Sequence, residues 1–107
     1  MKLGIILNTS DAEVAWNTFR LGVTSLKASH EVNIFLMNKG VEIETIKDEK
    51  YNVNGQIDSF IEHGGKILAC GTCLESRNKK GSETCPISTM KDLLQLIIDS
   101  DKVLSFS

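Results

Sequence analysis

Apolar and polar positions fall into short alternating blocks along the chain. Lys2-Leu3-Gly4-Ile5-Ile6-Leu7 is an apolar run containing β-branched side chains, and it stops at Asn8-Thr9-Ser10. A run of this length and composition predicts a strand buried on both faces. Ser10-Asp11-Ala12-Glu13 has the Ser-x-x-Glu form of a capping box, which predicts a helix starting at Ser10. Ala12, Trp16, Phe19, Val23 and Leu26 then recur at three- and four-residue spacing, an apolar helical stripe ending near Ala28. Glu31 to Met37 predicts a second strand, closed by a turn at Asn38-Lys39-Gly40. Val41 to Lys50 fits neither period and reads as a short helical turn or an irregular loop. Val53, Ile57, Phe60 and Ile61 restore helical spacing between Tyr51 and His63, and Gly64-Gly65 ends that helix.

Lys66 to Cys70 is the third apolar run and predicts the third strand. A short helix is expected over Thr72 to Asn78, followed by the polar loop Lys79 to Glu83. Cys85-Pro86 predicts a short extended piece, since the residue before proline avoids the helical region. Ser88 or Thr89 can cap a last helix whose stripe is Met90, Leu93, Leu94, Ile97 and Ile98, and Lys102 to Phe106 predicts a final strand. Strands alternating with helices imply an α/β domain: a mostly parallel sheet of four or five strands, right-handed crossovers, and helices on both faces. In such sheets the site lies beyond the carboxyl ends of the strands. Asn8 to Ser10, Asn38 to Gly40 and Cys70 to Cys73 are therefore expected to share one rim.

The bulk numbers narrow the class. A length of 107 residues fits one domain spanning the chain, residues 1–107. Apolar residues at 41% and charged residues at 24% are ordinary globular usage and exclude a disordered chain. A formal net charge of −2 gives no broad basic field for direct nucleic-acid contact or for an anionic membrane. No apolar run approaches the roughly 20 residues that cross a bilayer, and the opening segment is too short for a secretory signal. Those features predict a cytoplasmic chain. Its three cysteines do not make a disulfide framework.

Cys70-Gly71-Thr72-Cys73 carries the candidate chemistry. A Cys-x-x-Cys between a strand and a helix places its first thiol beside unpaired backbone N–H groups, which favour the nucleophilic thiolate. Gly71 allows a close backbone approach to bound sulfur or an anion, and the N–H groups of Gly71 and Thr72 are candidates to stabilise a persulfide. Arg77 lies two helical turns after Cys70 and can return to the loop or meet an acidic partner. A lone strand-end cysteine is usually a small buried hydrophobe; the second cysteine and the glycine weigh against that here. Zinc would need paired knuckles, whereas Cys85 stands alone before Pro86 and only His30 and His63 could add a fourth ligand, so no metal is expected. No phosphate-loop or dinucleotide fingerprint occurs, and no cofactor is expected. Glu42, Glu44, Asp48 and Glu49 read as ordinary surface acids.

Ile67 to Leu74, Arg77, Cys85-Pro86-Ile87-Ser88-Thr89-Met90, and Phe35 to Val41 together resemble the DsrE/DsrF-like family, over nearly the whole chain. The resemblance implies a three-layer α/β/α sandwich on a five-stranded parallel sheet. It implies a sulfurtransferase-like relay in which Cys70 accepts a persulfide and passes it between sulfur donor and acceptor proteins. It also implies a homo-oligomer, commonly a trimer or hexamer. Relay members carry Arg-Gly where this chain has Arg77-Asn78, and they lack a cysteine at Cys73. The expected site is therefore Cys70 and Cys73 as catalytic residues, with Gly71, Thr72, Asn8, Asn38 and Arg77 as substrate-binding residues. Two other function classes remain: a dithiol oxidoreductase or redox sensor using Cys70 and Cys73, and a non-catalytic interaction subunit whose cysteines pack.

Overall fold

In the computed structural model, which describes residues 1–107, the first apolar run is β1 (Lys2–Leu7). It leads into α1 (Ala12–Lys27), whose N-cap is Asp11 rather than Ser10: the Asp11 carboxylate accepts the Val14 N–H at 3.0 Å. Asp11 lies one residue inside the expected Ser-x-x-Glu box, and its carboxylate suits the positive helix end better than a hydroxyl does. Next come β2 (Glu31–Leu36) and a 3₁₀ segment (Asn38–Thr45), where a turn and an ambiguous stretch were expected. α2 (Val53–Glu62) is capped by Asn52 and ends before Gly64, whose φ of 93° is open to glycine without a Cβ penalty. β3 (Lys66–Cys70), α3 (Gly71–Glu75), β4 (Ile87–Ser88), α4 (Met90–Asp99) and β5 (Lys102–Phe106) complete the chain. α3 is shorter than the helix expected over Thr72 to Asn78. Asn78 takes φ of 51°, and the Lys79 N–H turns back to the Leu74 carbonyl.

All five strands are parallel, in the order β4-β3-β2-β1-β5. The fifth strand is the short β4, which begins directly after Pro86; the Pro86 carbonyl still accepts the Ala69 N–H at 2.9 Å. α1 and α2 pack together on one face of the sheet, where Phe19 and Phe60 meet edge-on with ring centroids 5.5 Å apart. Gly22 makes this approach possible, because a Cβ there would lie 2.8 Å from the Phe60 ring. α4 crosses the other face and rests on β1, where a Cβ on Gly4 would meet Leu96 at 2.6 Å. This is the three-layer α/β/α arrangement. No helix is long and apolar enough to cross a membrane.

Two of the expected apolar stripes face differently. In α1 the deepest positions are Ala15, Thr18, Phe19, Gly22 and Val23, while Ala12, Trp16 and Leu26 are only half-buried. Small residues set that face because α2 lies close against it. In α4 the expected stripe divides. Leu93 and Leu96 turn to the sheet, whereas Met90, Leu94, Ile97 and Ile98 point outward with exposures of 40–64%. β5 is likewise poorly covered, with Val103 and Leu104 each 39% exposed.

Candidate functional site

The carboxyl ends of β1, β2 and β3 do meet on one rim. Asn38 follows β2 with φ of 54°, a left-handed conformation that asparagine tolerates better than most side chains. Its amide Nδ2 donates to Asn8 Oδ1 at 3.0 Å, joining the exits of β1 and β2. Its backbone N–H donates to Cys73 Sγ at 3.1 Å, joining both to the loop after β3. Gly40, two residues on, lies directly against the Leu7 carbonyl, so the 3₁₀ segment is seated tightly on the end of β1.

Cys70 closes β3 and is only 4% exposed, whereas Cys73, one turn on in α3, is half-buried. Both are free thiols. Burial pushes the Cys70 thiol up. The neighbouring Cys73 side chain and its charge add to the shift, and the nearby Cys73 and Thr72 backbone N–H groups act in the opposite direction. The pair expected to stabilise sulfur at Cys70 was Gly71 and Thr72. Gly71 is the first residue past the strand and faces β4. A Cβ on Gly71 would stand 3.1 Å from the Ser88 carbonyl.

Arg77 does not return to the Cys70 sulfur. Its Nε pairs with Glu42 Oε2 at 3.2 Å, and its Nη1 donates to the Cys73 carbonyl at 3.1 Å. Cys73 is thus held at its sulfur by Asn38, from the 3₁₀ segment, and at its carbonyl by Arg77, which is braced against that segment through Glu42. Glu42 is the residue that sequence reasoning passed over as surface acid; nothing in its spacing marks a partner 35 residues away. Glu44 was passed over in the same way. It accepts from the Ser82 hydroxyl at 2.8 Å and stands beside Cys85. Cys85 itself is 3% exposed, and burial followed by the Glu44 charge pushes its thiol up to about 12. No group of three His, Cys, Asp or Glu side chains gathers in a metal-holding arrangement. Beside the loop, Gly71, Thr72, Ile87, Ser88 and Met90 line an open depression of about 390 Å³.

A profile of the DsrE/DsrF-like family matches residues 1–106. The chain belongs to that family. Two proteins of similar length accompany it. An uncharacterized protein of Methanocaldococcus jannaschii is 32% identical over 114 residues, covering 99% of this chain and all of its own length. An uncharacterized protein of Methanopyrus kandleri is 32% identical over 100 residues, covering 88% of this chain and 83% of its own. DsrE/DsrF-like membership places the chain among proteins associated with sulfur relay at the level of the family.

Proposed function

We propose that this DsrE/DsrF-like chain accepts sulfane sulfur from a persulfide donor at the Cys70–Cys73 pair, holds it as a persulfide on Cys70, and passes it to the thiol of an acceptor protein. The observation that carries the reading is the juxtaposition of two free thiols on the functional rim, one buried and one half-buried, with the Asn38 N–H donated to the Cys73 sulfur. Attack of a thiolate on sulfur, through a sulfur-bridged species, is the chemistry such a pair performs. Asn8 and Asn38 order the rim, and Thr72 lines it. Arg77 holds the Cys73 backbone rather than the cargo. The open depression beside the loop, with the exposed Ile87 and Met90 at its edge, gives a partner protein a place to bring its own cysteine. The setting is cytoplasmic, where thiols stay reduced.

The same reading carries a homo-oligomer, a trimer or hexamer. Met90, Leu94 and Ile97 form an outward apolar surface with Lys91 as its one charge, which suits contact with a second copy. Light scattering of the wild type against Leu94→Asp tests it. A wild type that is monomeric at micromolar concentration refutes it.

The relay is tested by intact mass before and after a low-molecular-weight persulfide, followed by an acceptor thiol. The wild type gains one sulfur atom and loses it to the acceptor, and the Cys70→Ser/Cys73→Ser double variant gains none. No gain on the wild type, or an equal gain on the double variant, refutes the relay. A loss of two hydrogens without added sulfur supports the dithiol oxidoreductase instead, a reading favoured by the same Cys70–Cys73 juxtaposition.

A further inference from the structure

The two sulfurs of the pair are not equivalent. Cys70 is 4% exposed at the end of a buried strand, and Cys73 stands between it and solvent. The Cys73 sulfur accepts the Asn38 N–H at 3.1 Å, and Asn38 is itself fixed by the Asn8 side chain at 3.0 Å. A fixed donor is thus directed at the sulfur that solvent can reach. At Cys70, by contrast, desolvation penalises a charge on a sulfur this deep.

We infer that Cys73, not Cys70, is the attacking sulfur of the pair and the point at which sulfur enters the chain, with Asn8 and Asn38 as its positioning residues. The sulfur-transfer part rests on the relay reading; the assignment of the nucleophile does not. The Cys73 thiolate attacks the outer sulfur of a donor R–S–SH. A bond forms between the two sulfurs, the donor's S–S bond breaks, and R–S⁻ leaves with the electron pair. The Cys70 thiol then attacks the outer sulfur now on Cys73. The Cys73 S–S bond breaks, and the Cys70 proton passes to the departing Cys73 sulfur. The products are a Cys70 persulfide and a Cys73 thiol, with no external oxidant consumed.

The test is site-resolved alkylation by iodoacetamide across pH, together with initial rates of sulfur uptake from a low-molecular-weight persulfide. Cys73 is modified first at neutral pH, at least about tenfold faster than Cys70, with Cys85 unreactive as an internal control. Asn38→Ala, which strains the left-handed position and removes the Asn8 bond, slows Cys73 alkylation at neutral pH; Asn38→Gly, which relieves that strain, slows it less. In uptake, Cys73→Ser is slowed about tenfold or more, whereas in Cys70→Ser the sulfur that enters is found on Cys73. Wild-type loading by Cys73→Ser, or Cys70 alkylated first, overturns the inference while leaving the relay standing. Absence of sulfur uptake in every form, with Cys73 still alkylated first, overturns the relay and leaves the nucleophile assignment intact.

Discussion

Substituting Gly40 by alanine probes the joint on which the rim depends. A Cβ at this buried position would overlap the Leu7 carbonyl oxygen and stand 2.9 Å from its carbon. The Leu7 carbonyl cannot give way, because it already accepts the Met37 N–H at 3.1 Å inside the parallel ladder. The 3₁₀ segment must therefore withdraw, by about 1 Å to reach ordinary van der Waals separation. Over-packing of this kind costs about 1–3 kcal/mol. A chain of this size has a total stability of about 5–15 kcal/mol, so the variant stays folded. The withdrawal carries Asn38 with it, and an Asn38–Cys73 contact of 3.1 Å stretched by that amount ceases to be a useful hydrogen bond. A hydrogen bond to a charged group contributes about 1.5–3 kcal/mol when shielded. At this half-buried residue the lower part of that range is expected, about a tenfold loss in the rate of Cys73 alkylation at neutral pH. The assay pairs urea denaturation with Cys73 alkylation as a function of pH. Stability within about 0.3 kcal/mol of the wild type would refute the steric reasoning. A destabilised variant whose Cys73 profile is unmoved would refute the coupling of the 3₁₀ segment to the thiol.

Three further outcomes are expected. Phe60→Ala empties a fully buried site flanked by Gly22, Gly65 and the Phe19 ring, and costs about 3–5 kcal/mol by denaturant titration. Asp92 accepts from the Ser88 hydroxyl at 2.7 Å and from the Thr89 N–H at 3.2 Å, which holds its carboxyl below the ordinary range. Its stabilisation is therefore complete above the unfolded value of about 3.9 and is lost as pH falls through the lower folded value. Asp92→Asn flattens the acid limb of a stability-versus-pH curve, and an unchanged limb refutes the assignment. Cys85, with its thiol pushed up to about 12, resists alkylation in native protein at pH 8 and reacts only on unfolding; native labelling at the rate of a free thiol would contradict its burial.

Most of the sheet was legible in the sequence, because β1, β2 and β3 are continuous apolar runs bounded by polar turns. The bounds of β1 and β3 match the expectation residue for residue, and β2 stops one residue early at Leu36, since Met37 already bends toward the 3₁₀ segment. α4 shows where periodicity runs out: it reports that a helix has an apolar side, not which of two apolar sides meets the sheet. Leu96, absent from the expected stripe, is the residue that packs on Gly4. The cysteine loop was legible from its spacing. Its tethers were not: Asn38 to Cys73 and Glu42 to Arg77 are tertiary contacts between residues 35 apart, and neither makes a local pattern. Asn8 and Asn38 were reached only through the general rule that strand ends share a rim.

The pairing of β5 with β1 has a kinetic consequence. Leu3 sits opposite Lys102, and the Lys2 N–H donates to Asp101 across a separation of 99 residues. β1 to β3 can assemble from neighbouring segments, but the last strand must close a loop nearly the length of the domain. That closure carries the largest entropy of any contact in the sheet, and contacts of this span slow folding. With Val103 and Leu104 partly open to solvent, little apolar burial offsets the cost. β5 is then the last strand to dock and the first to open. Its amides should exchange with solvent through a local opening well below the free energy of global unfolding, while those of β2 wait for the whole domain to unfold.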